Sequence, residues 1–233
     1  MAKGRIKRPE ENHVYKLPRI GKVKTGYKDE RNYPKSTDYF LATGKYQSLF
    51  DKYYPNKPQT IQVVFWDDNP ELMCEERYEY RDSKGKLYAS GDGETFNVWN
   101  SSKEKYEEYT TNEHPDIMEK VHQKVNYKDW SITLTLRFLL PKIKDIVGYW
   151  EYSTKGVAST IPAIRDTFDA MLNARGSIRG VIFDLNVQFA KSNKPGITSR
   201  YPVVTLVPNQ SESNIESLKG SMMNIENDTK RLE

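Results

Sequence analysis

Apolar residues recur along this chain in two rhythms, at alternate positions in its middle and at three-to-four spacing in two shorter places. Neither rhythm reaches the ends. Alternation is the mark of a half-buried strand, because successive side chains leave a pleated strand on opposite faces. It predicts strands over 60–66 (TIQVVFW), 72–81, 86–90 and 95–99. In 72–81 the residues Met73, Glu75, Arg77 and Glu79 alternate with Cys74, Glu76, Tyr78 and Tyr80, which makes one face charged and the other aromatic. Asp67-Asp68-Asn69-Pro70, Ser83-Lys84-Gly85 and Gly91-Asp92-Gly93 are turn sequences, so these strands read as a β-meander. Further strands are expected over 131–140, 146–153, 181–190 and 201–207.

Helical spacing appears first in 45–54, where Tyr46, Leu49, Phe50 and Tyr53 share a face and Pro55 and Pro58 stop the helix. It returns over 157–174, where Val157, Ile161, Ile164, Phe168, Met171 and Leu172 lie opposite Arg165, Asp166 and Asp169. Pro162 is tolerated there if the first turn begins near Ser159 or Thr160, and Gly176 or Gly180 follows the end. Residues 100–130 are highly charged and weakly helical over 115–125, with Ile117 or Met118, Val121 and Val125 as a stripe. They read as an insertion over the sheet. Residues 20–45 alternate small apolar and basic residues, with turn points at Tyr33-Pro34 and Ala42-Thr43-Gly44. Ile20 and Val23 are core candidates there, as are Tyr39, Phe40 and Leu41.

The expected architecture is α+β: a mostly antiparallel sheet with one main amphipathic helix packed on it. A basic arm (1–19) precedes a single domain (20–208), and a flexible tail (209–233) follows, with a short helix expected at 215–225.

Charge sharpens this picture at one end. Residues 1–35 hold eleven Lys or Arg against four acids, or +7, while the whole chain is only +4 and 36–233 therefore carry −3. Such a local excess attracts polyanions by counterion release. It also describes a solvated arm that keeps a protein soluble, and charge alone leaves the two readings open. Within 19–39, Lys22, Lys24 and Lys28 interleave with Tyr27 and Tyr33, and Arg19, Arg31 and Lys35 flank them. Basic groups can neutralise phosphates while rings stack. A lysine-protected edge strand would look the same.

Composition narrows the chemistry. Hydrophobic residues make up 36% of the 233, too few for the entire chain to be core. Sixteen tyrosines against eight phenylalanines point to many half-wet aromatic positions. The single cysteine, Cys74, excludes an internal disulfide and a multi-cysteine zinc site. The start MAKGRIKRPE lacks the apolar run of a secretory signal, and no stretch is long and apolar enough for a membrane span. The expectation is a cytoplasmic protein.

His13, His114 and His122 are at no ligand spacing, and adjacent acids such as Glu75-Glu76 point to opposite faces of a strand. Gly91-Asp92-Gly93 lacks a phosphate loop's spacing, and neither GxSxG nor HExxH occurs. No catalytic residue, metal or cofactor is expected.

Three sets of residues carry a family resemblance. Ile20-Gly21-Lys22-Val23-Lys24-Thr25-Gly26-Tyr27, followed by Pro34-Lys35-Ser36-Thr37-Asp38-Tyr39-Phe40, resembles the opening of phage recombination directionality factors that act with large serine integrases. Leu136-Arg137-Phe138-Leu139-Leu140-Pro141, then Gly148-Tyr149-Trp150-Glu151-Tyr152-Ser153-Thr154, resembles that family's later stretch. Arg200-Tyr201-Pro202-Val203-Val204 closes the series in the expected order. The resemblance runs over about 19–207 as short islands. Many relatives carry a cysteine cluster where 100–130 here has none, so no zinc is expected, and the tail beyond Pro208 has no counterpart.

The resemblance implies a non-enzymatic switch in a host bacterial cell. It would bind the coiled-coil region of a serine integrase on attachment-site DNA and redirect it from attP × attB integration to attL × attR excision. The basic arm could add nonspecific DNA contact. Arg19, Lys22, Lys24, Tyr27, Lys28, Tyr33, Lys35, Trp150 and Arg200 are the candidates for partner or nucleic-acid contact. The competing reading is a phage-type single-stranded nucleic-acid-binding protein. There Lys22, Lys24, Tyr27 and Tyr33 touch DNA directly.

Overall fold

The computed structural model describes residues 17–82, 84–124, 130–192, 196 and 198–209. The arm before residue 17 and the tail beyond 209, with its expected short helix, lie outside the described residues. Eight strands form one sheet: β1 (Arg19–Lys28), β2 (Pro34–Thr43), β4 (Cys74–Arg81), β5 (Leu87–Gly91), β6 (Thr95–Asn100), β7 (Lys105–Thr110), β8 (Ser131–Phe138) and β9 (Tyr149–Thr154). Their order is β2-β1-β9-β8-β4-β5-β6-β7, antiparallel throughout except that β1 runs parallel to β9. A second sheet pairs β3 (Thr60–Val64), β10 (Ile182–Lys191) and β11 (Arg200–Pro208) in the antiparallel order β11-β10-β3. The helices among the described residues are α1 (Gln47–Tyr53), α2 (Pro70–Met73), α3 (Ile117–Lys124) and α4 (Thr160–Arg175).

The α+β expectation of one sheet under one main helix is therefore corrected. The protein is mostly β, with a large mixed sheet, a second sheet and short helices. Two physical reasons account for the difference. Alternation marks a strand but does not name its neighbour, so the split of β3, β10 and β11 into their own sheet was invisible. And β7 (KYEEYT) owes its strand conformation to backbone pairing rather than to an apolar stripe.

The main core lies where the inward faces of the two sheets meet. Val23, Phe40, Leu134, Leu136, Phe138, Trp150 and Tyr152 come from the large sheet, and Ile61, Val63, Phe183, Leu185, Val204 and Leu206 from the small one. The sheets are stitched together where Val64 and Leu139 exchange backbone hydrogen bonds of 3.0 and 2.8 Å, and where Phe40 N donates to Pro58 O at 2.8 Å. The α4 helix adds Ile161, Ile164 and Phe168, the last ring meeting Phe65 edge-on at 5.1 Å. Pro162 sits in its first turn, and Gly176 ends it at φ 73°, a left-handed cap that a Cβ would disfavour.

The same helix protects an edge. Val187 N donates to Gln59 O, on the β3 side, so the paired Val204 amide points away from β10. Thr160 Oγ1 accepts from it at 3.1 Å. Pro202 and Pro208, two and four residues away, occupy equivalent outward positions and have no amide to offer.

Residues 100–130 do more than lie over the sheet. They supply its edge strand β7 and the helix α3, whose buried Ile117 and Val121 close a second core with Tyr80, Ala89, Phe96 and Val98. Val125, the last residue of the expected stripe, lies outside the described residues. Trp130 caps this core, 5.2 Å from the Tyr80 ring, its Nε1 donating to Met118 O. At the turn between β6 and β7, Lys103 at 2.7 Å and Asn100 at 2.8 Å both donate to Glu107. Together they lower its carboxyl from 4.5 to about 2.

Two measurements test these assignments. Trp150 is 1% exposed, and truncation to Ala should cost about 3–5 kcal/mol in a denaturant titration. Because the Glu107 pKa is depressed on folding, its contribution to stability is complete above about 4.5 and fades as pH falls toward 2. A carboxyl NMR titration should place its midpoint near 2, and Lys103→Ala should move that midpoint up.

Candidate partner-binding surfaces

With Trp150, Tyr152, Leu134, Leu136 and Cys74 turned inward, pleating turns their neighbours out. Lys22, Glu151, Ser153, Thr133, Thr135, Arg137, Glu75, Arg77, Glu79 and Arg81 thereby line an open groove of about 560 Å³ across β1, β9, β8 and β4. Its charges are largely engaged with one another. Glu151, 8% exposed, takes Lys22 at 2.7 Å and Arg19 at 3.8 Å. Glu75 holds both Arg77 and Arg137, and Arg137 also donates to Leu72 O. Glu79 holds Arg81 at 2.9 Å and accepts from Thr133 Oγ1 at 3.1 Å. Such a lattice keeps an uncovered sheet face wet, and each half-exposed pair adds little stability by itself.

The β1–β2 hairpin presents a different surface. The register slips between Lys24 and Gly26, and beyond that slip Tyr27 pairs with Lys35 and Lys28 with Pro34. The turn is closed by Asp29, whose Oδ1 accepts from Arg31 N at 3.0 Å and Tyr33 N at 2.9 Å. Lys35 is 3.8 Å from its other oxygen. Tyr27 is 51% and Tyr33 63% exposed, and with Lys28, Arg31 and Lys35 they surround a shallow depression. Lys24, Lys28 and Arg31 make no ion pair among the described residues.

The nine candidates from the sequence thus fall into four places. Tyr27, Lys28, Tyr33 and Lys35 gather at the hairpin end, with Lys24 exposed further along β1. Arg19 and Lys22 belong to the Glu151 lattice. Arg200 is exposed at the start of β11 in the small sheet, in register with Lys191 of β10. Trp150 is corrected: its ring lies 5.7 Å from Phe50 in the core and offers nothing to a partner. The reason is alternation, since Glu151 and Ser153 take the outward positions of β9. Sequence reasoning missed Arg137 and Glu151, register neighbours on β8 and β9 that hold Glu75 and Lys22 respectively. The outward charges of 72–81 were a signal, but the neighbouring strands were not known.

Other chemistry is confined to packing and turns. Asp68 accepts from Ser177 Oγ and Ile178 N and pairs with Arg179, so the 67–70 turn also tethers the segment after α4. Asp92 Oδ1 accepts from Glu94 N and Thr95 N, which makes Gly91-Asp92-Gly93 a capped turn. His114 stands edge-on to Tyr109, and His122 to Tyr80. Among the described residues no three His, Cys, Asp or Glu side chains converge as a metal site, and no helix is long and apolar enough to cross a membrane.

A family model described as Gp3-like, recombination directionality factor-like, matches residues 20–209, a span that takes in the four helices among the described residues and all but the first residue of the two sheets. The chain belongs to that family, which places it in phage DNA recombination. Neither a curated protein nor a solved structure matches it.

Cys74 provides a check on the fold around this surface. Burial, with Asp169 and Glu76 adding to it, pushes its thiol up to about 12. The native protein should therefore react with a thiol-specific disulfide reagent at neutral pH at least a hundredfold more slowly than the denatured chain.

Proposed function

We propose that this protein is a recombination directionality factor. It binds a large serine integrase, through that enzyme's coiled-coil region, on attachment-site DNA and turns it from attP × attB integration to attL × attR excision. The match over residues 20–209 carries this reading. The protein performs no bond chemistry in this scheme. It acts by binding one synaptic arrangement more tightly than the other, and only that difference shifts the equilibrium. Moving an arrangement from 1:99 to 99:1 takes about 10⁴-fold differential affinity, about 5.5 kcal/mol. A handful of buried tyrosine and arginine anchors can provide that. Half-exposed rings such as Phe189 and Tyr201 support an interface of this kind.

The test is recombination in vitro with the serine integrase encoded nearest this gene. Excision from attL × attR should appear only when the protein is added, attP × attB should be suppressed, and both effects should saturate near one protein per integrase. Full excision at a few per cent of the integrase concentration would contradict a stoichiometric binder. No effect on either reaction would reject the assignment for that integrase.

A further inference from the structure

The sequence places a run of basic residues along β1, and the structure divides that run in two. Arg19 and Lys22 are committed to Glu151. Lys24, Lys28 and Arg31 are exposed and carry no ion pair among the described residues. The acids at the hairpin end do not cancel them. Asp29 is engaged inside the turn with two backbone amides and with Lys35, which leaves Glu30 as the uncommitted carboxylate in 24–36. The two tyrosines beside these cations are more than half exposed, and neither ring meets another aromatic ring among the described residues.

The geometry is that of a narrow, braced ribbon. Beyond the register slip it is two strands wide, with Gly26 so close to its partner strand that a Cβ there would meet Lys35 O. A two-stranded ribbon is what the major groove of duplex DNA admits. Lysine is depleted in protein interfaces, whereas it is a regular point contact for phosphate. Three lysines, one arginine and two open rings within 24–35 therefore suit a phosphodiester backbone better than a protein surface.

From this we propose that the end of the β1–β2 hairpin is a nucleic-acid contact, gripping phosphates with Lys24, Lys28 and Arg31 while Tyr27 and Tyr33 lie against sugar or base. The contact does not depend on integrase, so it stands or falls separately from the directionality assignment. The phosphate chemistry is common to duplex and single strand, and the rings distinguish the two. Stacking on an unpaired base is strong and sequence-tolerant, while a duplex offers no free base face.

The experiment is fluorescence anisotropy of the full chain with a labelled duplex and the matching single strand, from 50 to 200 mM salt, without integrase. Lys28→Glu with Arg31→Glu should weaken binding at least tenfold. It should also reduce the slope of log affinity against log salt by about two on the duplex, one for each phosphate no longer neutralised. Lys84→Glu with Lys86→Glu makes the same charge change at the exposed β4–β5 turn and should cost less than threefold. Tyr27→Ala with Tyr33→Ala then identifies the bound form. A tenfold loss confined to the single strand supports stacking on bases, and a small equal loss on both supports a backbone contact on duplex. Thermal melts of each variant confirm folding. Equal losses from the two charge reversals would overturn the proposal. So would unchanged DNA affinity in the hairpin variant, including the case where that variant instead loses binding to the integrase.

Discussion

The inward faces of the two sheets can leave water only by closing on one another, and the remaining features of this protein follow from that closure. The large sheet alone would expose Phe40, Phe138 and Trp150, and the small one Phe183, Leu185 and Leu206. Neither is a stable object by itself. The exchange of hydrogen bonds between Val64 and Leu139 brings one edge of the small sheet to the large one, and α4 covers what remains. Its first turn also silences the free edge of β11 through Thr160, in company with Pro202 and Pro208. The same helix therefore completes the core and guards against edge-to-edge association.

With its inner side fully used, the large sheet has only its outer side to show. That face is polar because every strand contributing to it alternates, and its charges are arranged so that each carboxylate meets two cations or a cation and a hydroxyl. The result is a surface that is heavily charged yet mostly self-satisfied. The open groups lie at the periphery, on the β1–β2 hairpin and at the far end of β10–β11, where Phe189 and Tyr201 are exposed. A protein that works by selecting one arrangement of a larger complex has use for contacts at several edges rather than one deep cleft.

Much of the element list was legible beforehand. The alternation of 60–66, 72–81, 131–140, 146–153, 181–190 and 201–207 corresponds to β3, β4, β8, β9, β10 and β11, and helical spacing located α1, α3 and α4. Hairpin β1–β2 was harder, because its strands are broken by glycine and lysine and its turn lies at 29–33, before Pro34 rather than at it. For the candidate surface, the run of Lys22, Lys24 and Lys28 was visible, but not which of them pair with Glu151. That depends on β9 lying beside β1, more than a hundred residues away in sequence.

The amino-acid order by itself determined where most of the strands and the helices α1, α3 and α4 form, which residues turn the chain, and that positive charge concentrates near the start. These are local properties, set by side-chain periodicity and turn chemistry within a few residues. Only the tertiary structure decided that two sheets rather than one make the core, that β1 runs parallel to β9, and that Trp150 is buried. It also decided which cations remain unpaired. Each of these rests on contacts between segments far apart in the chain, where many pairings satisfy the same alternation and only the closed core selects among them.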